Sequence, residues 1–179
     1  GENLSDVQKM LNDLQWWLPK DYGQGQRHDA ITYALAKEHV KLHHPRVLQI
    51  SFIETDALAH SGKYDYYLDA ANYNDKMIAD LWNFMQNDPF YKDQTTFIIT
   101  GDHGRGSGDN WQHHYYSVPH SNEIFLAAMG PDTQPLGEIK QKGQLYQNQI
   151  AQTIAAFLGI KFENGHPIGK PITSVLPKL

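Results

Sequence analysis

Two apolar runs in this chain each end in an acid and a histidine, and that repeated arrangement limits what the chain can fold into. The first is Arg46-Val47-Leu48-Gln49-Ile50-Ser51-Phe52-Ile53, followed by Glu54-Thr55-Asp56-Ala57-Leu58-Ala59-His60. The second is Thr95-Thr96-Phe97-Ile98-Ile99, followed by Thr100-Gly101-Asp102-His103-Gly104-Arg105-Gly106. Each run has the length and composition of a buried strand. In open α/β sheets ligands bind at the carboxyl ends of the strands. Asp and His side chains offer compact oxygen and nitrogen donors that suit a Zn²⁺-like cation. Asp56 and His60 stand four apart, so they share a face if a helical turn follows the strand. Either run alone reads equally well as a strand-to-loop turn whose polar side chains satisfy backbone groups. Two such runs on neighbouring strands bring four metal-competent groups to one edge.

Helical spacing surrounds these runs. Leu4, Val7, Leu11, Leu14 and Leu18 predict a helix over 4–18, with Ser5 as a possible N-cap and Pro19 as its stop. Trp16 and Trp17 read as core or interface anchors. Residues 20–27 read as a loop, and Tyr22-Gly23-Gln24-Gly25 lacks the Lys-Ser/Thr ending of a phosphate loop. Asp29 to His43 predicts a second helix, with Ile31, Ala34, Leu35, Val40 and Leu42 available for its core face. His39 and His43 lie on it at i, i+4, but among Lys37, Glu38 and Lys41 they read as a solvated face. Tyr64 to Asn87 is the longest periodic segment and predicts a helix covering one face of the sheet.

The segment from Gly104 to Ser121 has almost no periodicity and holds Trp111, His113, His114 and His120. A structureless loop this long inside a compact domain is uncommon and often functional. Glu123 to Met129 predicts a third strand, and Leu145 to Leu158 a helix with Ile150, Ile154 and Phe157 inward and Gly159 as its C-cap. The last residues read as an extended tail packed on the surface. The element order predicts an α/β fold with a mainly parallel sheet flanked by helices. Three strands make a thinner sheet than the usual five or six. The single α/β domain over 1–179 therefore reads as a partial domain.

Composition narrows the function classes. The 179 residues suffice for one domain with a sizeable core. A net charge of −5 without a basic run argues against nucleic-acid binding. No apolar run reaches the length of about 18 residues expected of a membrane-spanning helix. The opening residues carry no signal-peptide pattern. Zero cysteines exclude disulfides and thiolate ligands, leaving the ten histidines and the carboxylates as metal donors.

From about Arg46 to Gly159 the chain resembles the C-terminal part of the catalytic domain of alkaline phosphatase superfamily enzymes. That group includes nucleotide pyrophosphatases/phosphodiesterases, sulfatases and cofactor-independent phosphoglycerate mutases. The matching pieces are Asp56-x-x-x-His60 after one strand, Gly101-Asp102-His103-Gly104 after the next, and a downstream histidine. The strand Ile124-Phe125-Leu126-Ala127-Ala128-Met129-Gly130-Pro131 and the closing helix around Gln149 to Gly159 complete them.

The resemblance implies two divalent ions, zinc or alternatively manganese. One would be held by Asp56, His60 and a later histidine, the other by Asp102, His103, a further Asp and a nucleophilic Thr or Ser. His114 best fits the later histidine, with His120 and His113 as alternatives, because Tyr115 follows His114 where the family often has Gly. The nucleophile and the further Asp are implied to lie in an N-terminal half, so no catalytic nucleophile is assigned within this chain. Arg105, beside the Asp-His-Gly turn, is a candidate contact for an anionic substrate or else a surface salt bridge.

The implied activity is hydrolysis of small-molecule phosphoric esters by the full-length protein. The alternatives are an inactive metal-binding fragment, a sulfatase taking sulfate esters, or a phosphomutase. Imidazole suits zinc better than calcium, which argues against the sulfatase branch. The family suggests a periplasmic or secreted setting.

Overall fold

A computed structural model describes residues 3–18, 26–140 and 142–177 of the chain. Pro19 and the loop expected around Tyr22–Gly25 lie outside the described residues. Helix α1 runs Asp6–Leu14, shorter than the periodicity predicts. Ser5 caps it in a reciprocal box: Gln8 N donates to Ser5 Oγ at 3.1 Å, and Ser5 N donates to Gln8 Oε1 at 2.9 Å. Leu11 is buried, whereas Leu4, Val7 and Leu14 are exposed. Trp16 and Trp17 are 69% and 84% exposed, so they lie outside the core of the described residues. The helix stops before them, and its apolar stripe does not reach their positions.

Helix α2 (Asp29–His43) has the predicted bounds and buries Ile31 and Val40. Leu42 is exposed. Two positions past Val40, it lies roughly 200° around the helix and faces away. His44, in the left-handed region at φ 46°, ends the helix before Pro45.

Residues 46–53 form no ladder with any described residue, where a strand was expected. They are held from the side instead. Asp29, fully buried, accepts from Ile53 N at 2.7 Å through Oδ1 and from Glu54 N at 3.2 Å through Oδ2. Tyr91 Oη donates to the Pro45 carbonyl at 3.1 Å. Ile50 packs with Tyr33, Phe84 and Phe97 against the buried cluster Val40, Leu81, Met85 and Tyr91.

The Asp29 contacts start helix α3 (Glu54–His60), the helical turn that an i, i+4 ligand pair requires. Gly62 ends it at φ 69°, where a side chain would be strained, with Lys63 N bonded to Leu58 O and Gly62 N to Ala59 O. The chain then reverses into helix α4 (Tyr64–Asn87), which has the predicted bounds and packs along α3.

Strand β1 (Phe97–Thr100) pairs with β2 (Leu126–Met129) in a two-stranded antiparallel sheet, Phe97 opposite Met129 and Thr100 opposite Leu126. The expected parallel pairing is not found among the described residues. A parallel neighbour needs a crossover element, usually a helix. Between these strands lies only a 3₁₀ turn, Gly108–Asn110, so the chain returns as a wide hairpin. Helix α5 (Ile150–Phe157) begins later than predicted, after a 3₁₀ turn at Gln147–Gln149. The tail packs onto it as expected: Ile172 and Val175 are buried, and Ile172 N donates to Thr153 Oγ1 at 2.9 Å.

The Asp29 anchor is testable. Replacing it with Ala leaves two backbone N–H groups without their acceptors, at about 1–3 kcal/mol each. Asp29→Ala is expected to cost about 2–6 kcal/mol in urea denaturation. Burial, outweighing its N–H bonds, raises the Asp29 pKa above the usual 3.8. A carboxyl raised in the folded state contributes most below its unfolded value and loses ground as pH climbs through the folded one. The margin of wild type over Asp29→Ala should therefore narrow as pH rises from below 3.8.

Candidate metal centre

Helix α3 presents Asp56 and His60 one turn apart, and the loop after β1 folds back over them. That loop is closed by its own backbone. Gly104 N donates to Ser121 O at 2.8 Å, Gly106 N to His113 O at 3.0 Å, and Glu123 N to His120 O at 3.0 Å. A Cβ at Gly104 would collide with the carbonyl oxygens of His120 and Glu123, so the close approach requires glycine there. Gly106 N bonding His113 O pins the loop one residue before His114, whose ring is carried to α3.

The result is a three-donor cluster. His60 Nε2 lies 2.9 Å from His114 Nε2 and 3.4 Å from Asp56 Oδ1, and His114 Nε2 lies 3.5 Å from Asp56 Oδ1. Among the described residues this is the one group of three or more His and carboxylate donors that close together. Donors on a tetrahedral zinc with legs of about 2.0–2.1 Å stand about 3.3 Å from one another. The three separations bracket that value. Two ring nitrogens 2.9 Å apart need a proton on one of them or a cation between them. The donor set therefore fits a divalent cation in both chemistry and spacing.

The second pair of candidate residues joins the first through Asp56. His103 Nε2 lies 3.6 Å from Asp56 Oδ1 and 3.7 Å from Asp102 Oδ2. The His103 ring stacks on that of His114, centroids 3.7 Å apart. His103 Nδ1 is 3.0 Å from the Gly104 carbonyl oxygen. A carbonyl only accepts, so Nδ1 carries a proton, and Nε2 is the nitrogen that faces Asp56. The Asp102 side chain is 84% exposed, with Oδ1 accepting from His103 N at 3.0 Å.

The other loop histidines are turned elsewhere. His120, in the left-handed region at φ 70°, places Nδ1 2.9 Å from Glu123 Oε1. His113 is exposed and stacks loosely on Tyr115, centroids 6.1 Å apart. Arg105 is neither a surface ion pair nor open to solvent. Its guanidinium is on Asp56 Oδ1 and also donates to the carbonyls of Asp56 and Gln112, each at 3.1 Å.

The pKa of His114 is lowered, first by burial and then by the neighbouring charge of His103, against the opposing pull of Asp56. The lowering favours the neutral ring, the form that binds metal. Sequence reasoning missed the support behind this site. Asp29 holds the start of α3, and His28 Nδ1 meets Glu54 Oε1 at 2.7 Å beside it. Asp29 stood out only as the first residue of a helix, and local pattern says nothing of a partner 24 positions on.

The family profile described as the Metalloenzyme superfamily matches residues 21–162. No curated protein and no solved structure matches the chain.

Two outcomes are expected of this centre. In zinc titrations of the chain with a competing chromophoric chelator, Asp56→Ala, His60→Ala and His114→Ala each weaken binding by about 100-fold or more, beyond the cost of losing a residue behind a ligand. His113→Ala and His120→Ala leave it within a few-fold. Because the folded pKa of His114 lies below 6.5, the metal-free chain should lose stability as pH falls through and below 6.5. In urea denaturation His114→Asn should show a smaller loss over that range.

Proposed function

The chain belongs to the Metalloenzyme superfamily, and from that premise we propose that it supplies the metal-binding part of a phosphoric-ester hydrolase, a phosphatase or phosphodiesterase. The observation that carries this reading is the Asp56–His60–His114 cluster with His103 and Asp102 against it. Asp56, His60 and His114 would hold one divalent ion, and Asp102 with His103 would supply half the donors for a second. Zinc suits two imidazoles and a carboxylate, with manganese as the alternative. Such ions bring Lewis acidity to a phosphoryl oxygen and lower the pKa of a bound hydroxyl or water.

The chain's own residues do the positioning. Helix α3 keeps Asp56 and His60 on one face, and the Gly104 carbonyl, facing Nδ1, orients the His103 ring with Nε2 toward Asp56. The exposed Asp102 carboxylate leaves the second pair open on one side. In this reading the nucleophile and the remaining ligand Asp come from a preceding segment of the full-length protein. Residues 46–53, apolar in composition, support it. Val47 and Leu48 are exposed, and the segment has no ladder partner among the described residues, as an edge that further strands would cover. The substrate is a small-molecule phosphate ester in preference to a sulfate ester, since the sulfatase branch relies on calcium, which imidazole donors suit poorly.

A second reading is a metal-binding fragment inert by itself. It is favoured by the single complete three-donor cluster among the described residues.

Hydrolysis of an aryl phosphate, a bis-aryl phosphate and an aryl sulfate by the full-length protein separates these readings. Chelation should abolish phosphate-ester turnover and zinc should restore it. His60→Ala and Asp102→Ala should each lower kcat/KM by about 100-fold or more. Unchanged activity and metal content in both variants would sink the assignment. Turnover by residues 1–179 alone would place the nucleophile inside this chain and eliminate the inert-fragment reading.

A further inference from the structure

We infer that Arg105 is a positioning residue of the metal centre and not a contact for substrate: its guanidinium ties the helix that supplies Asp56 and His60 to the loop that supplies His114. The inference rests on the metal-dependent reading above and deepens it. Three acceptors take the guanidinium. Nη2 bonds the Asp56 carboxylate and donates to the Asp56 carbonyl at 3.1 Å, while Nη1 donates to the Gln112 carbonyl at 3.1 Å. Asp56 is one candidate ligand, and Gln112 lies two residues before another.

The side chain is 13% exposed, so it has little freedom to swing toward an incoming anion. The backbone that carries it is held as well, because Gly104 N and Gly106 N on either side are bonded to Ser121 O and His113 O. A rigid planar fork suits this bridge between a carboxylate and two carbonyls. A lysine ammonium, a point charge on a flexible stem, does not span them.

Charge and geometry make opposite demands here. A guanidinium on Asp56 repels any cation bound at the same carboxylate, so charge alone predicts that removing Arg105 tightens metal binding. Positioning predicts the reverse, because the two ligand-bearing segments lose the group that joins them.

The test uses the whole 179-residue chain, with Arg105→Ala, Arg105→Lys and, as a charge control, Arg46→Ala, which removes an exposed cation at the start of the 46–53 segment. Zinc affinity is read by competition with a chromophoric chelator. Amide hydrogen exchange over residues 106–118 is read on metal-free protein. Both Arg105 variants are expected to bind zinc roughly 10- to 100-fold more weakly, as when groups behind a ligand are lost. Exchange over 106–118 should quicken in both, and Arg46→Ala should match wild type. Wild-type or tighter zinc binding by Arg105→Ala, or restoration of full affinity by Arg105→Lys, would overturn the inference. Should Arg105→Ala fail to fold, Arg105→Lys decides by the same two readouts. A wild-type chain without measurable zinc affinity overturns the metal-dependent reading. The exchange arm then decides the bridge by itself: faster exchange over 106–118 upholds it, and unchanged exchange overturns it.

Discussion

The Asp56 carboxylate is the point on which the site depends. One oxygen, Oδ1, faces His60, His103, His114 and the Arg105 guanidinium together. Three of these partners come from the loop after β1 and one from Asp56's own helix. The arrangement therefore exists only while that loop lies against α3. These partners occupy the lone pairs of a half-buried carboxylate from within the fold. With His60 and His114 beside it, the carboxylate completes a donor set that fits a divalent cation.

Two anchors behind the site give α3 its place. Asp29 reaches from the start of α2 to the backbone at the start of α3, and Gly62 closes the other end. A seven-residue helix has little stability of its own. Its position is set by these end contacts and by packing along α4, whose Leu81 and Met85 join the central cluster with Val40 and Tyr91. Core and site are thus coupled through backbone hydrogen bonds to one buried acid.

Much of this was legible from residue order. The helices at 29–43 and 64–87 follow from apolar spacing and end at Pro or at residues that break the pattern, and their bounds agree with the structure. The shorter α1 and the exposed Trp16 and Trp17 did not follow from it, because an apolar period marks a face without stating whether anything covers it. The antiparallel pairing of β1 and β2 was also out of reach. Hydrophobic runs carry no strand direction, and the absence of a crossover helix between them decides it. Residues 46–53 have strand composition but no ladder partner among the described residues, since pairing belongs to two segments and composition to one.

By itself the sequence determined the local pieces of the site. Asp56 and His60 share a helical face because 3.6 residues complete a turn, and Asp102 and His103 stand together because they are adjacent. Tertiary structure decided which distant residues meet them. His114 comes to His60 from 54 positions away while His113 and His120 do not, and Arg105 turns onto Asp56 from 49 positions away. Neighbours along the chain are constrained by covalent geometry, which residue order records. Contacts across fifty residues depend on how a glycine-hinged loop closes on itself, and that is settled only when backbone bonds such as Gly104 N to Ser121 O form.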